Sequence, residues 1–352
     1  MAGRVTLIGL EDRAGWEAAT VGCLPGQSWD FASGLAEMGM QPLLAQVTDG
    51  EDEMLLPFVR RDFRGHVDIA TLPGLSGALL RPGGSGPLRV WADFASTQGW
   101  VAGYIQLAAA NAQTNVPPPD RRAIRNALYV YDLPGWDFQQ AVGMKMRNAL
   151  RRAGRAGQGQ AGGAILVHNQ PRLASAFAAL HDDTLRRLGT APAFTPDVLS
   201  AWSTSPLVRY FGAEVKGRLH SVLLCLCKGA EAEALLLASI PEGRSLQAWM
   251  LWQTAECLAR EGYAAFNIGG YGVAGDGLHR MKARLGAREV PMVSVRQVYD
   301  PATFAALCAD TGADPDGDYF PPYRAAPGSA RADDLGGGAD QARGSERDDF
   351  GL

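Results

Sequence analysis

Two short stretches carry residue types whose spacing could do chemistry. The first is Leu235–Gln247, LLLASIPEGRSLQ. It reads as a strand ending near Ser239, then a loop with Ile240, Pro241, Gly243 and Arg244, then a helix that Ser245 can cap. A helix N-terminus offers unsatisfied N–H groups and the positive end of the helix dipole, so such a junction with an added Arg is a ready anion site. The second is Gly270-Tyr271-Gly272-Val273-Ala274-Gly275, a literal G-x-G-x-x-G between an apolar run and a helix. A dinucleotide fingerprint has this form, with its third Gly inside the helix and an acidic residue closing the next strand. Val290–Tyr299 does read as a strand, and Asp300 ends it. But Gly275 precedes Asp276-Gly277, which read as the helix cap, and the helix over Gly277–Leu285 is short for a crossover. The unit also follows an antiparallel meander rather than opening a parallel sheet, so the dinucleotide reading is set aside.

A third stretch is cationic. From Phe138 to His181 the chain holds Lys145, Arg147, Arg151, Arg152, Arg155 and Arg172 and no Asp or Glu. A helix read over Trp136–Arg155 carries most of them, with a thin apolar stripe of Met144, Ala149 and Leu150. The pattern is either a solvated helix face or, through Arg147 and Arg151, a contact for phosphate or another polyanion. No G-x-x-x-x-G-K-[ST] and no G-x-S-x-G is present. The histidines stand alone in sequence, and His181-Asp182-Asp183 lacks a distant ligand set, so no metal is expected. Cys225 and Cys227, two apart in a strand-like run, face one side and read as core.

The elements that must position these stretches come twice. Ala45–Gly74 and Ala213–Gly243 each read as three antiparallel strands running down to a Pro. Their turns fall at Asp49-Gly50 and Arg64-Gly65 in one copy, and at Lys216-Gly217 and Gly229-Ala230 in the other. A helix follows each, Leu88–Gln98 and Leu246–Glu261, stopped by Gly99-Trp100 and Gly262-Tyr263. A strand comes next, Val101–Leu107 or Ala264–Ile268. The repeated β-β-β-α-β order predicts a duplicated domain. The fold class is α/β in its α+β form: two tandem domains, each a mixed, mainly antiparallel sheet flanked by helices.

Composition agrees. A chain of 352 residues, 47% apolar and 20% charged, holds material for about two domains with sizeable cores. A net charge of −4 gives no global attraction to nucleic acid or anionic membrane, so any anion site is local. No apolar run approaches the ~20 residues of a spanning helix. With no charged-then-apolar leader and scattered cysteines, a cytoplasmic protein without a transmembrane segment is expected. The expected divisions are 1–135 and 164–300 as the two domains, 136–163 as a basic helix and linker, 301–324 as an extension, and 325–352 as a disordered tail.

The order of basic helix, meander, anion loop, helix, Gly-aromatic, strand, Gly loop and short Lys-bearing helix resembles the acyl-CoA N-acyltransferase (GNAT-like) superfamily. Within it the sequence resembles the Fem-type group, the peptidoglycan-bridge aminoacyltransferases and their bacterial relatives. The local match is best over Asp276–Gly286, DGLHRMKARLG: Gly277-Leu278, Lys282 and Gly286 fit, while Met281 and Leu285 stand where the family has Phe. Met146–Gly157 leading to Ala164–His168, and Trp29 with Leu55-Leu56-Pro57-Phe58, match other parts of the pattern, so the likeness spans roughly residues 25–300.

The resemblance implies twin GNAT-like domains and transfer of an acyl group to an amine. The donor would be acyl-CoA, such as acetyl-CoA, or aminoacyl-tRNA; nucleic acid is a partner only in the second case. It implies that the donor pyrophosphate meets Ser239, Ile240, Gly243, Arg244 and Ser245, and that Lys282 answers transition-state charge. Amine attack builds an oxyanion and a cationic amine, so fixed donors and a proton acceptor are needed. N–H groups at Ser239–Ile240, or Lys282, would serve the first need; Asp276, otherwise a helix cap, would serve the second. The acceptor would be a small-molecule or lipid-linked amine, or one on a cell-wall or polysaccharide precursor, which points to cell-envelope biosynthesis. A reading of another class is a duplicated-domain binding protein that keeps the anion pocket without the chemistry, which the two missing Phe residues leave open. If one copy is catalytic, the Gly loop and Lys282 point to the second.

Overall fold

Alternating apolar residues and left-handed turns build the same sheet twice. The computed structural model describes residues 3–116, 120–155, 163–270, 275, 277–317 and 319–325. The first elements are β1 (Arg4–Gly9), α1 (Arg13–Ala19), α2 (Trp29–Ala36), β2 (Pro42–Asp49), β3 (Asp52–Phe63), β4 (His66–Thr71), β5 (Leu79–Arg81), α3 (Gly86–Thr97) and β6 (Ala102–Gln106). Next come β7 (Arg121–Asp132), α4 (Phe138–Ala141), α5 (Met144–Arg155), β8 (Ala164–His168), α6 (Arg172–Leu188) and α7 (Pro196–Ser203). The rest are β9 (Val208–Val215), β10 (Arg218–Lys228), β11 (Glu231–Ser239), α8 (Gln247–Arg260), β12 (Ala265–Asn267), α9 (Gly277–Ala283), β13 (Arg288–Val298) and α10 (Pro301–Thr311).

Among the described residues two compact units result: residues 3–125 together with 291–325, and residues 126–290. In the first, the strands run β1-β2-β3-β4-β6-β13, all neighbours antiparallel except β4 and β6. The β3–β4 hairpin closes Phe63 on His66 through Arg64 and Gly65, both at positive φ, the signature of a type I′ turn. Its core centres on Phe58, Trp91 and Trp100, with Phe58 edge-on to Trp91 at 5.2 Å. Trp91 Nε1 donates to the Tyr299 hydroxyl at 3.0 Å, so the last strand is tied to α3. The region 301–324, expected as an extension, is part of this unit. Phe304, Leu307 and Cys308 of α10 bury against Val101, Ala102 and Tyr323.

The second unit repeats the pattern as β8-β9-β10-β11-β12-β7, with β11 and β12 the parallel pair. Lys216 and Gly217, both at positive φ, close Val215 on Arg218 just as Arg64 and Gly65 close theirs. Cys225 and Cys227 lie in its core with Phe211, Met250, Phe266 and Leu285. The region expected as a connector is a wall of this unit. Leu150 of α5 is buried, Met146 and Ala153 pack on the core, and a Cβ on Gly154 would lie 3.0 Å from Trp249 Nε1. The single helix expected over Trp136–Arg155 is interrupted near Gly143 into α4 and α5. Residues 156–162 of the expected linker, and 326–352 of the expected tail, lie outside the described residues.

Each sheet is closed by a strand that is not the next one in its own copy. Ser294–Val298 of β13 pair with β6 in the first unit, and Val130–Asp132 of β7 pair with β12 in the second. No described helix is long and apolar enough to cross a membrane.

Candidate functional site

The site grows from a strand left open along one edge. β11 is 9 residues long, yet only Glu231, Ala232 and Glu233 pair with β12. β12 stops at Asn267, whose Oδ1 accepts the Gly269 N–H at 2.9 Å, and Ile268 and Gly269 then bond to Tyr129 of β7. Among the described residues, no strand accompanies Ala234–Ser239 on that side. At the fork sits Glu233, buried at 3% exposure and in register with Asn267.

At the far end of β11 lies the expected anion loop. Ser239 ends the strand as expected, but a 3-10 helix, Pro241–Leu246, intervenes before α8. Ser245 therefore does not cap α8: its Oγ donates back to the Glu242 carbonyl at 3.1 Å, and Leu246 stands at the cap with no side-chain bond. The N–H groups expected as oxyanion donors are committed as well. That of Ser239 points to Thr184 Oγ1 at 3.4 Å, and that of Ile240 donates to the His220 carbonyl at 3.0 Å. Gly243 is pressed against β10, with its carbonyl accepting from Ser221 Oγ at 3.1 Å and space for a Cβ closed by the His220 carbonyl at 2.1 Å. Arg244 is exposed.

Lys282 is not the solvated helix cation its setting allowed. It is 4% exposed on α9, and its Nζ donates to the Gly270 carbonyl at 2.6 Å. Lys is almost never so buried without partners. α9 is seated by Leu285, fully buried, by Met281 against the same core, and by Tyr131, whose hydroxyl donates to the Leu285 carbonyl at 3.0 Å. The two positions that depart from Phe thus fill core space. Asp276 lies outside the described residues. The glycine motif has a steric explanation: a Cβ on Gly270 would meet Asn126 Oδ1 at 2.5 Å and the Ala127 carbonyl at 2.7 Å, and Gly275 has φ of +83°. Gly272 lies outside the described residues. Arg147, half-buried, and Arg151, exposed, lie on α5.

Sequence reading missed the residues that come from other elements. Thr184 Oγ1 and Arg187 Nη2 of α6 both donate to the Ser239 carbonyl, at 3.3 and 3.1 Å. Arg187 Nε and Nη1 are buried without a hydrogen-bond partner among the described residues. Nothing but a basic residue in the last helical turn marks Arg187 in sequence. Glu233 carries no mark beyond an apolar context.

The histidines are not all alone. His168, Cys257 and Glu261 bring ligand atoms within 4.8 Å of one another. Burial pushes the Cys257 thiol up to about 11, so it stays protonated. Hydrogen bonds from Arg209 hold the Glu261 carboxyl below its usual range and engage both its oxygens. A metal would have to displace the guanidinium and the thiol proton, so these groups fit a hydrogen-bonded packing cluster better than a metal centre.

The first unit differs at the equivalent junction. There the chain's own segment fills the space after β4: the Gly26 N–H donates to Ser76 Oγ at 2.7 Å, and Gln27 Nε2 to the Gly77 carbonyl at 2.8 Å.

No family model and no curated protein matches the sequence. Solved structures do match. The crystal structure of FemX superposes with a TM-score of 0.58 at 11% identity, over 83% of this chain and 96% of that one. A conserved protein of unknown function from Bacteroides thetaiotaomicron VPI-5482 superposes with a TM-score of 0.56 at 12% identity, over 84% of this chain and 100% of that one. The chain has a Fem/GNAT-like fold.

Proposed function

We propose that the chain is an N-acyltransferase that takes its acyl group from acyl-CoA, acetyl-CoA in the simplest case, and delivers it to an amine. The observation that carries this reading is the open edge of β11 beside the three-residue fork with β12, with Glu233 buried at the fork; Lys282, buried on α9, reaches the Gly270 carbonyl just past β12. An extended amide-bearing chain adds to an open strand edge through main-chain hydrogen bonds, and the pantetheine arm of CoA is such a chain. Its pyrophosphate would lie toward Gly243, Arg244 and Ser245. With the Ser239 and Ile240 N–H groups engaged, the oxyanion falls to the Lys282 ammonium, and Glu233 takes the proton of the attacking amine. The tetrahedral intermediate then collapses with loss of the CoA thiolate, leaving the amide.

The acceptor class is an amine on a small molecule, a lipid-linked species or a cell-wall or polysaccharide precursor, met in the cytoplasm. Aminoacyl-tRNA is the second donor reading, and the exposed cations of α5 favour it; the chain's net charge of −4 does not. The reading as a binding protein without chemistry loses support because Met281 and Leu285 serve the core rather than the site.

Thermal shift tests the donor assignment. Acetyl-CoA at about 100 times its Kd should stabilise the protein by about 2.7 kcal/mol. Stabilisation by a mixed aminoacyl-tRNA pool and not by acetyl-CoA would move the donor to tRNA. Stabilisation by neither would sink the reading.

A further inference from the structure

Helix α6 turns one face to the end of β11, through Thr184 and Arg187, and another to a cleft beside α7. The cleft encloses about 640 Å³, within the roughly 300–1,000 Å³ of small-molecule sites. α6, α7, the segment joining them and β9 supply its walls, and Phe177, Leu185, Phe194 and Leu199 form their apolar part. Ring packing fixes these walls. His181 stacks on Phe177 at 5.4 Å, Tyr210 lies 5.6 Å from the same ring, and Phe194 meets Trp202 edge-on at 4.9 Å.

Two polar groups in the walls lack the partners that burial normally brings. His181 lines the cleft and is 7% exposed. Neither of its ring nitrogens makes a hydrogen bond among the described residues, and neither is sealed from solvent. The hydroxyl of half-buried Tyr210 stands in the same condition. Buried polar groups are almost always hydrogen-bonded, so these two are open handles for an occupant. Burial lowers the His181 imidazole below its ordinary value and pushes the Tyr210 phenol up to about 12, so at pH 7 the imidazole is mainly neutral and the phenol keeps its proton. A ligand hydroxyl donates and accepts at once, and so answers both groups.

Charge narrows the occupant further. Among the described residues, the charged members of the lining are Asp182 and Arg186, and they pair with each other at 3.1 Å on the exposed rim. Arg186 also reaches Asp183 at 3.3 Å, which lies outside the lining. The lining therefore has no net charge. A charged ligand would leave water for apolar walls without a counter-ion to meet it.

We propose that this cleft binds an uncharged aromatic or branched-alkyl alcohol, its apolar body against Phe177, Leu185, Phe194 and Leu199 and its hydroxyl toward His181 and Tyr210. The proposal concerns binding and does not depend on the donor reading.

The test uses the full chain and three probes of one shape: 2-phenylethanol, 2-phenylethylammonium and phenylacetate, titrated by calorimetry at pH 7 and fixed ionic strength. Saturable binding of 2-phenylethanol is expected, about tenfold or more tighter than either charged probe. Tyr210→Phe and His181→Phe each keep a ring in place and remove one polar group, and each should weaken the alcohol about threefold or more. Ala178 lines the cleft and is exposed, so Ala178→Phe fills it without a clash in the core and should weaken binding about tenfold or more. Ser200→Phe repeats the block from α7 should that variant fail to fold. Absence of saturable 2-phenylethanol binding, a charged probe bound as tightly, binding undiminished in a folded blocking variant, or an alcohol affinity that neither Tyr210→Phe nor His181→Phe changes would overturn it.

Discussion

Lys282 and Glu233 are the two side chains on which the proposed chemistry rests, and they were legible to different degrees. Lys282 stands in a local pattern, so its neighbourhood on a short helix after a Gly loop could be read from the sequence. Its burial could not, because Gly270, its hydrogen-bond acceptor, stands 12 positions earlier in the chain. Thr184 and Arg187 reach the Ser239 carbonyl from a distant helix, Glu233 lies opposite Asn267 at the other end of β11, and no periodicity marks either meeting. His181 gives a prediction at this scale. Burial lowers its pKa from 6.5, with Asp182 opposing weakly. The unfolded chain therefore takes up a proton near pH 6.5 while the native chain waits for a lower pH. The full contribution is present above that pH and is lost as pH falls through the native pKa. Thermal melts from about pH 8 to about pH 5 should show Tm falling below pH 6.5, with a shallower fall in His181→Asn; an identical slope in the variant would count against it.

At the scale of elements, turn chemistry and the Gly99 and Gly262 helix stops were readable, and the N-cap of α8 was not. Arg64-Gly65 and Lys216-Gly217 name their own hairpins because a type I′ turn makes a demand on two adjacent residues. The cap of α8 was misplaced because a 3-10 helix precedes it, which puts Ser245 inside a helical turn, where its hydroxyl bonds back to Glu242. The loop it belongs to is held by close contact. A methyl group at position 243 would lie 2.1 Å from the His220 carbonyl, a backbone atom that cannot swing aside. Gly243→Ala should therefore cost about 1–3 kcal/mol by overpacking and displace the loop from β10. Steady-state kinetics should show KM for the acyl donor rising several-fold with a smaller change in kcat. An unchanged KM together with an unchanged Tm would remove the loop from donor binding.

For the whole molecule, the duplication was visible in sequence, and the crossing of the closing strands was not. Hairpin signals say which neighbours in sequence pair; a strand whose partner is far away leaves no local mark. The consequence is an asymmetry in what each unit needs. The second unit draws β7 to β12 from one continuous stretch, whereas the first requires Ser294–Val298 and the Trp91–Tyr299 bond from the end of the chain. A fragment of residues 126–290 should melt cooperatively on its own. A fragment of residues 3–125 should not, unless residues 291–325 are supplied; cooperative melting of 3–125 alone would contradict the topology. The central claim is acyl transfer at the β11 edge, and amine-dependent release of CoA from acetyl-CoA measures it most directly. We predict such release across a panel of amines by the intact protein, reduced at least about 10²-fold in a folded Lys282→Ala variant and likewise in Glu233→Gln. No amine-dependent release, or a folded Lys282→Ala variant that turns over like the parent, would contradict it.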